Sequence, residues 1–397
     1  MDDRAARVHV SGPLAEHAEG FRVMLAGRGY APSSAAGQLQ VMAHLSRWLT
    51  EQDRSAVDVT PAAVEQFLRA RKGAGYRRWL SRRAVVPLLE YLETAGLAIP
   101  AAAPEPLAPG SAVLAGYRQY LVAERGLAAS TVRNYLDAAR LLAAQDGLRL
   151  ELLTAGEVTG FVLAQCRDRG TGSAAVLVTG LRSLLRYLHL AGFTPAPLAG
   201  AVPSAASASP LPEAVGPGQA SLLLGSCDRG TAAGLRDYAV LVLLVRLGLR
   251  VSEVAAMELG DIDWRGGQVT IRGKGSRLDQ LPLPADTGQA IAAWLHDGRP
   301  GCSCRRVFTT LLAPLGPLTR KAVSAIVTRA ARRAGLAEVT AHRLRHGAAT
   351  GLLRAGASLP EVGQVLRHAS MLNTARYARV DHAALSAVAR PWPGAAR

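Results

Sequence analysis

A repeat in the first half of the chain limits its fold more than any other feature. LAGRGYAPSS (Leu25–Ser34) resembles VAERGLAAST (Val122–Thr131), and VTPAAVEQFL (Val59–Leu68) resembles LTAGEVTGFVL (Leu153–Leu163). LLEYLETAGL (Leu88–Leu97) pairs in the same way with LLRYLHLAGF (Leu184–Phe193). The three offsets are 97, 94 and 96 residues, so two units of one domain-sized length, about 95 residues, stand in tandem. Periodicity inside each unit is helical. In STVRNYLDAARLLAAQ, residues Val132, Tyr135, Leu136, Ala139, Leu142 and Ala143 recur at three- and four-residue steps, with Ser130 as the expected N-cap. Gly96 and Gly192 fall where a C-terminal glycine would stop the last helix of each unit. Two four-helix domains are expected, at 1–100 and 108–200, joined by the Pro/Ala linker Pro100–Ser111.

The repeats end in a second stretch rich in Pro, Ala and Ser (Thr194–Gly218), which places a linker at 201–217 and a further domain at 218–397. That domain opens with helical patterns. It then turns to GQVTIRG (Gly267–Gly273) and LDQLPLP (Leu278–Pro284), whose alternation around GKGS predicts a β-hairpin. Helical patterns return from Thr319. The expected fold is multidomain and mainly α, with two tandem helical domains followed by a mostly α domain carrying a small antiparallel β-sheet.

Charge narrows the partner. The 397 residues carry a formal net charge of +16, which points to a polyanion. Only three of the 46 basic residues are lysines (Lys72, Lys274 and Lys321). A lysine inside GKG therefore suggests chemistry that arginine cannot do, namely giving up a proton. Seven bases crowd Arg69–Arg83: Arg69, Arg71, Lys72, Arg77, Arg78, Arg82 and Arg83, with Tyr76 and Trp79 between them. They are read as DNA contacts, against the plainer alternative of a solvated helix face. The longest apolar run, Tyr238–Val245, is far short of the roughly 18–20 residues that span a bilayer. The start MDDRAAR has no apolar stretch of a secretory signal, and Cys302 and Cys304 lack the second ligand pair of a zinc site. A cytoplasmic protein acting on DNA, with no membrane partner, metal or cofactor, is expected.

The chemistry lies in six residues taken in order: Arg250, Lys274, His342, Arg345, His368 and Tyr377. Two guanidinium forks can hold the non-bridging oxygens of a phosphodiester. A phenol can attack phosphorus, an ammonium can protonate the leaving oxygen, and imidazoles can move or orient protons. Which of these tasks His342 and His368 each perform stays open. His346 is expected to pack one helical turn after His342.

These motifs resemble the tyrosine recombinases, the lambda-integrase or phage-integrase family. RDYAVLVLLVRLGLRVSEVAAMELGDIDW is similar to the family's first arginine motif, with Glu253 at the supporting acidic position. IRGKGSRLDQLPLP resembles the lysine hairpin, HRLRH the His-x-x-Arg motif, and LRHASMLNTARY the segment that carries the nucleophile. Two departures stand out. Arg367 replaces the usual glycine, and Asp279 falls where a basic residue is common. The resemblance implies SAM-like helical domains, the second of which binds the core site, and a catalytic domain from 218. It also implies a 3′-phosphotyrosyl intermediate, a free 5′-hydroxyl and a Holliday junction on double-stranded DNA. The implied assembly is a tetramer of this chain, with accessory proteins as further candidates and the tail beyond Tyr377 docking on a neighbour. Integration, excision or transposition of a mobile element is the expected use. The alternatives are relaxation by a type IB topoisomerase-like enzyme, or an idle DNA-binding regulator of the same fold. The first repeat is open to arm-type DNA contact, an extended core contact or an assembly role.

Overall fold

A computed structural model of the chain describes residues 8–97, 109–145, 149–204, 214–273, 277–336 and 339–367. Lys274, His368 and Tyr377 lie outside the described residues. Contacts group the chain into two compact units, Met1–Ile99 with Pro210–Arg397, and Pro100–Ser209.

Among the described residues the first segment holds four α-helices: α1 (Ala18–Gly27), α2 (Pro32–Glu51), α3 (Pro61–Gly73) and α4 (Arg82–Thr94). The second unit holds α5 (Pro109–Gln119), α6 (Ala129–Ala143), α7 (Ala155–Cys166) and α8 (Thr171–Leu190), with one π-helical turn (Tyr120–Glu124) after α5. Matching positions are capped alike. The Thr60 hydroxyl accepts from the Ala63 N–H, and the Thr154 hydroxyl from the Glu157 N–H. Gly96 and Gly192 take φ of +76° and +77°, which carries the chain out of α4 and α8. Leu97 N–H then reaches the Leu92 carbonyl and Phe193 N–H the Leu188 carbonyl, the bonds that close a Schellman stop. Ser130 is not the cap of α6. The helix begins at Ala129 from the extended Ala128, without a side-chain cap bond.

Each helical set closes over its own apolar stripe. Phe21, Leu39, Met42, Phe67 and Leu88 are buried in the first, and Tyr117, Leu136, Val162 and Leu181 in the second. Burying one such side chain stabilises a fold by roughly 1.5–3 kcal/mol. The start of the expected second linker also belongs to this packing: Leu198 and Val202 are buried in the second core. These two apolar residues lie inside the Pro/Ala-rich stretch, so composition alone did not separate them from linker.

The C-terminal part runs through α9 (Pro217–Gly225), α10 (Ala232–Arg246) and α11 (Val251–Ala256), then β1 (Ile262–Asp263), β2 (Gln268–Arg272) and β3 (Leu278–Pro282). Helices α12 (Ala285–Ala293), α13 (Arg320–Arg333), α14 (Ala341–Arg354) and α15 (Leu359–Val365) complete it. Every residue from Ala239 to Leu244 is buried, so α10 is the central helix with apolar neighbours all round. The strands form one antiparallel sheet in the order β1-β2-β3. Gln268 pairs with Pro282 and Arg272 with Leu278, so β2 and β3 flank the segment of sequence that contains Lys274. The first segment touches this part where the Leu315 N–H donates to the Arg28 carbonyl at 2.9 Å. No described helix is long and apolar enough to cross a membrane.

Candidate active site

Arg250 stands at the N-cap of α11, directly after a turn that requires glycine. Gly248 has φ +57°, and a Cβ there would lie 2.7 Å from Leu366 Cδ2 and 3.2 Å from Ala348 Cβ. The end of α10 can therefore pass close to α14 and to Leu366. Glu253 fixes the turn from the far side. Its Oε2 accepts from the Arg250 main-chain N–H at 2.8 Å, and its Oε1 accepts from Arg250 Nη1 at 2.6 Å. The Glu253 side chain is 2% exposed while that of Arg250 is 39% exposed, so the carboxylate anchors and the guanidinium still reaches solvent. Burial alone would raise the Glu253 pKa. The Arg367 charge and the Arg250 bonds outweigh it and hold the carboxyl below the usual glutamate range.

Arg345 approaches from α14, whose N-terminus is capped by Thr340. It is buried, donates from Nη1 to the Gly248 carbonyl at 2.6 Å, and donates from Nη2 to the Leu366 carbonyl. Arg250 Nη2 donates to the next carbonyl, that of Arg367, at 3.2 Å. Two arginines 95 positions apart in the numbering thus hang from consecutive peptide oxygens just before His368. Spacing in the sequence does not reveal the turn itself. Arg367 has φ +54°, the region where glycine is at ease, which accounts for the glycine usual in the resembling motif. Its buried side chain donates from Nη2 to Glu253 Oε2 at 2.7 Å and from Nη1 to the Val365 carbonyl at 2.8 Å.

His342 is exposed on α14, and the buried His346 lies one turn on. Their Nε2 atoms are 2.9 Å apart. In such a contact one ring donates and the other accepts, so His346 bears on the tautomer of His342 and does more than pack. At the hairpin, Arg272 Nη2 donates to Asp261 Oδ1 at 2.8 Å, fastening β2 two residues before Lys274. Asp279 is engaged by Arg277 Nε at 3.1 Å. The Arg69–Arg83 bases do not share one helix face: Arg69, Arg71 and Lys72 lie on α3, Arg77 and Arg78 in the connection, and Arg82 and Arg83 on α4. Arg71 is buried, with its guanidinium 4.3 Å from the Tyr76 ring centre, and the other six are exposed.

Comparison with known proteins fixes the family. The model of the phage integrase family matches residues 215–384. A putative integrase/recombinase of Sinorhizobium fredii is 38% identical, over 97% of this chain and 96% of that protein. The chain belongs to the phage integrase family of tyrosine recombinases. It is an enzyme of site-specific recombination, which breaks and rejoins DNA strands. The tyrosine recombinase XerD of Mycobacterium tuberculosis is 34% identical, over 71% of this recombinase and 96% of its own length. A lambda integrase tetramer bound to a Holliday junction shares the fold, with a TM-score of 0.52 and 19% identity over 73% of this chain and 88% of that one.

Proposed function

We propose that this recombinase serves the integration, excision or transposition of a mobile DNA element. One observation carries that reading. The Sinorhizobium integrase/recombinase relative matches nearly the whole chain, first helical segment included, whereas XerD is matched almost entire by 71% of it. The substrate is double-stranded DNA, and the working assembly is a tetramer of this chain, as in the lambda integrase neighbour. In cleavage, Tyr377 Oη attacks the scissile phosphorus, a phosphotyrosyl bond forms at the 3′ side, and the bond to the 5′ oxygen breaks. Lys274 protonates that departing oxygen, and Arg250 and Arg345 hold the non-bridging oxygens. His342 and His368 divide the tyrosine proton and a phosphate hydrogen bond between them. The negative charge that builds on the phosphorane favours fixed cations over mobile ones. Support for the two arginines comes from their shared seat on the Leu366 and Arg367 carbonyls. The exposed bases between Arg69 and Arg83 contact DNA outside the cleavage site.

A nicked suicide substrate, which traps the covalent adduct, tests this reading. The wild type should accumulate adduct, while Tyr377→Phe should bind DNA as tightly and form none. An adduct in that variant, mapped to another residue, overturns the assignment. Excision from a plasmid bearing two cognate element ends tests the biological role.

A further inference from the structure

Arg367 occupies a turn at φ +54° that glycine adopts freely and other residues adopt at a cost. Its side chain is also only 3% exposed, an expensive place for a cation without a partner. Its charge is met by the 2.7 Å ion pair with Glu253, beside the Nη1 hydrogen bond to the Val365 carbonyl. Glu253 is then shared between two guanidiniums, Arg250 on Oε1 and Arg367 on Oε2. The Arg367 carbonyl closes the ring by accepting from Arg250 Nη2.

Charge counting shows what the third member adds. Arg250 and Glu253 alone sum to zero, so a buried carboxylate 2.6 Å from the fork would cancel much of the field it offers a phosphate. With Arg367 the group sums to +1, and the carboxylate's pull is divided. We propose that Arg367 is a positioning residue for catalysis: by sharing Glu253 it keeps Arg250 fixed while leaving its positive charge available to the scissile phosphate. A glycine at this turn supplies the backbone shape and none of the charge. The inference rests on the assignment of Arg250 to the phosphate made above.

The test is single-turnover adduct formation by the full-length protein at saturating concentration on a suicide substrate, with DNA affinity measured alongside. Arg367→Gly suits φ +54° and should fold. Its Kd should stay within about twofold of wild type while the adduct rate falls roughly 10- to 100-fold. Arg367→Lys, which keeps a charge but not the fork, should recover part of that loss. A methylphosphonate at the scissile position carries no negative charge, and on it the gap between wild type and Arg367→Gly should close to within about twofold. Wild-type rates for Arg367→Gly on the ordinary substrate overturn the proposal. So does a deficit that persists in full on the methylphosphonate, which would reduce Arg367 to a part of the fold. Arg250→Lys separates the two ideas: if it leaves the rate unchanged, the phosphate assignment fails. If it is slow while Arg367→Gly is normal, only the role of Arg367 fails.

Discussion

Between Arg69 and Arg83 six basic side chains point into solvent and one, Arg71, is buried under Tyr76. Around Gly248 and Leu366 the guanidiniums of Arg250, Arg345 and Arg367 engage main-chain carbonyls and one carboxylate. Both regions are arginine-rich, and charge alone would rank the first above the second. Acceptor supply makes the difference. An arginine held by several fixed oxygens has lost its side-chain freedom before substrate arrives, which suits it to a transition state. An arginine in water keeps that freedom and suits affinity, where each phosphate neutralised releases counterions. Substitutions in the inner set should therefore change rate, and those in the outer set should change binding and its response to salt.

The sharpest break of that contrast is Arg345→Lys. A single ammonium cannot span the Gly248 and Leu366 carbonyls as the two Nη atoms do. Adduct formation should fall about 10²–10³-fold, equivalent to about 3–4 kcal/mol, with little change in DNA affinity. Single-turnover cleavage beside a binding isotherm gives both numbers. A variant that loses affinity and keeps its rate would move Arg345 into the outer class.

How far the sequence could anticipate this site depends on the kind of signal. The hairpin was legible because alternation in GQVTIRG and LDQLPLP is local, and β2 and β3 pair across those residues. Gly96 and Gly192 were legible because a left-handed helix stop has its own residue. The order of Arg250, Lys274, His342, Arg345, His368 and Tyr377 carried the family. Spacing could not show that Arg367 meets Glu253, since the two are 114 residues apart and join only after folding. Arg367 was visible as a departure from glycine, but its partner was not. The charge run does not set Arg71 apart from the other six bases for a related reason: charge patterns do not reveal an aromatic ring folded over one member. His346 shows the limit of periodicity, which placed it one turn from His342 without showing the 2.9 Å approach of the two rings.

Lys274, outside the described residues, extends the contrast through its proposed role as the acid. Arg272, tied to Asp261, ends the strand two residues before it in the sequence. Lys274→Arg retains charge but holds its proton far more tightly than an ammonium, so proton donation should fail where charge attraction does not. Cleavage of an ordinary substrate should drop about 10²-fold or more. A 5′-bridging phosphorothiolate, whose sulfur leaves without a proton, should restore it. Failure of that rescue would assign Lys274 to binding.

The smallest expected effect belongs to the outer set, and it decides whether the comparison holds at both ends. Arg77 and Arg78 are exposed in the connection between α3 and α4. Changing both to Gln should lower affinity for a full-length site and flatten log K against log salt by about 0.9 for each phosphate left without its cation. The adduct rate at saturating protein should not move. Point changes are preferable to deleting the segment, because Met1–Ile99 clusters with the C-terminal part and a deletion would also break the hydrogen bond between Leu315 and Arg28. Arg71→Gln is the internal control. Its guanidinium stacks on Tyr76 and donates to the Arg78 carbonyl at 3.3 Å, so its loss should lower the melting temperature while the salt slope changes little. An unaltered slope in the Arg77/Arg78 variant would reduce the outer bases to a solvated surface. The first helical segment would then contribute through protein contacts rather than DNA.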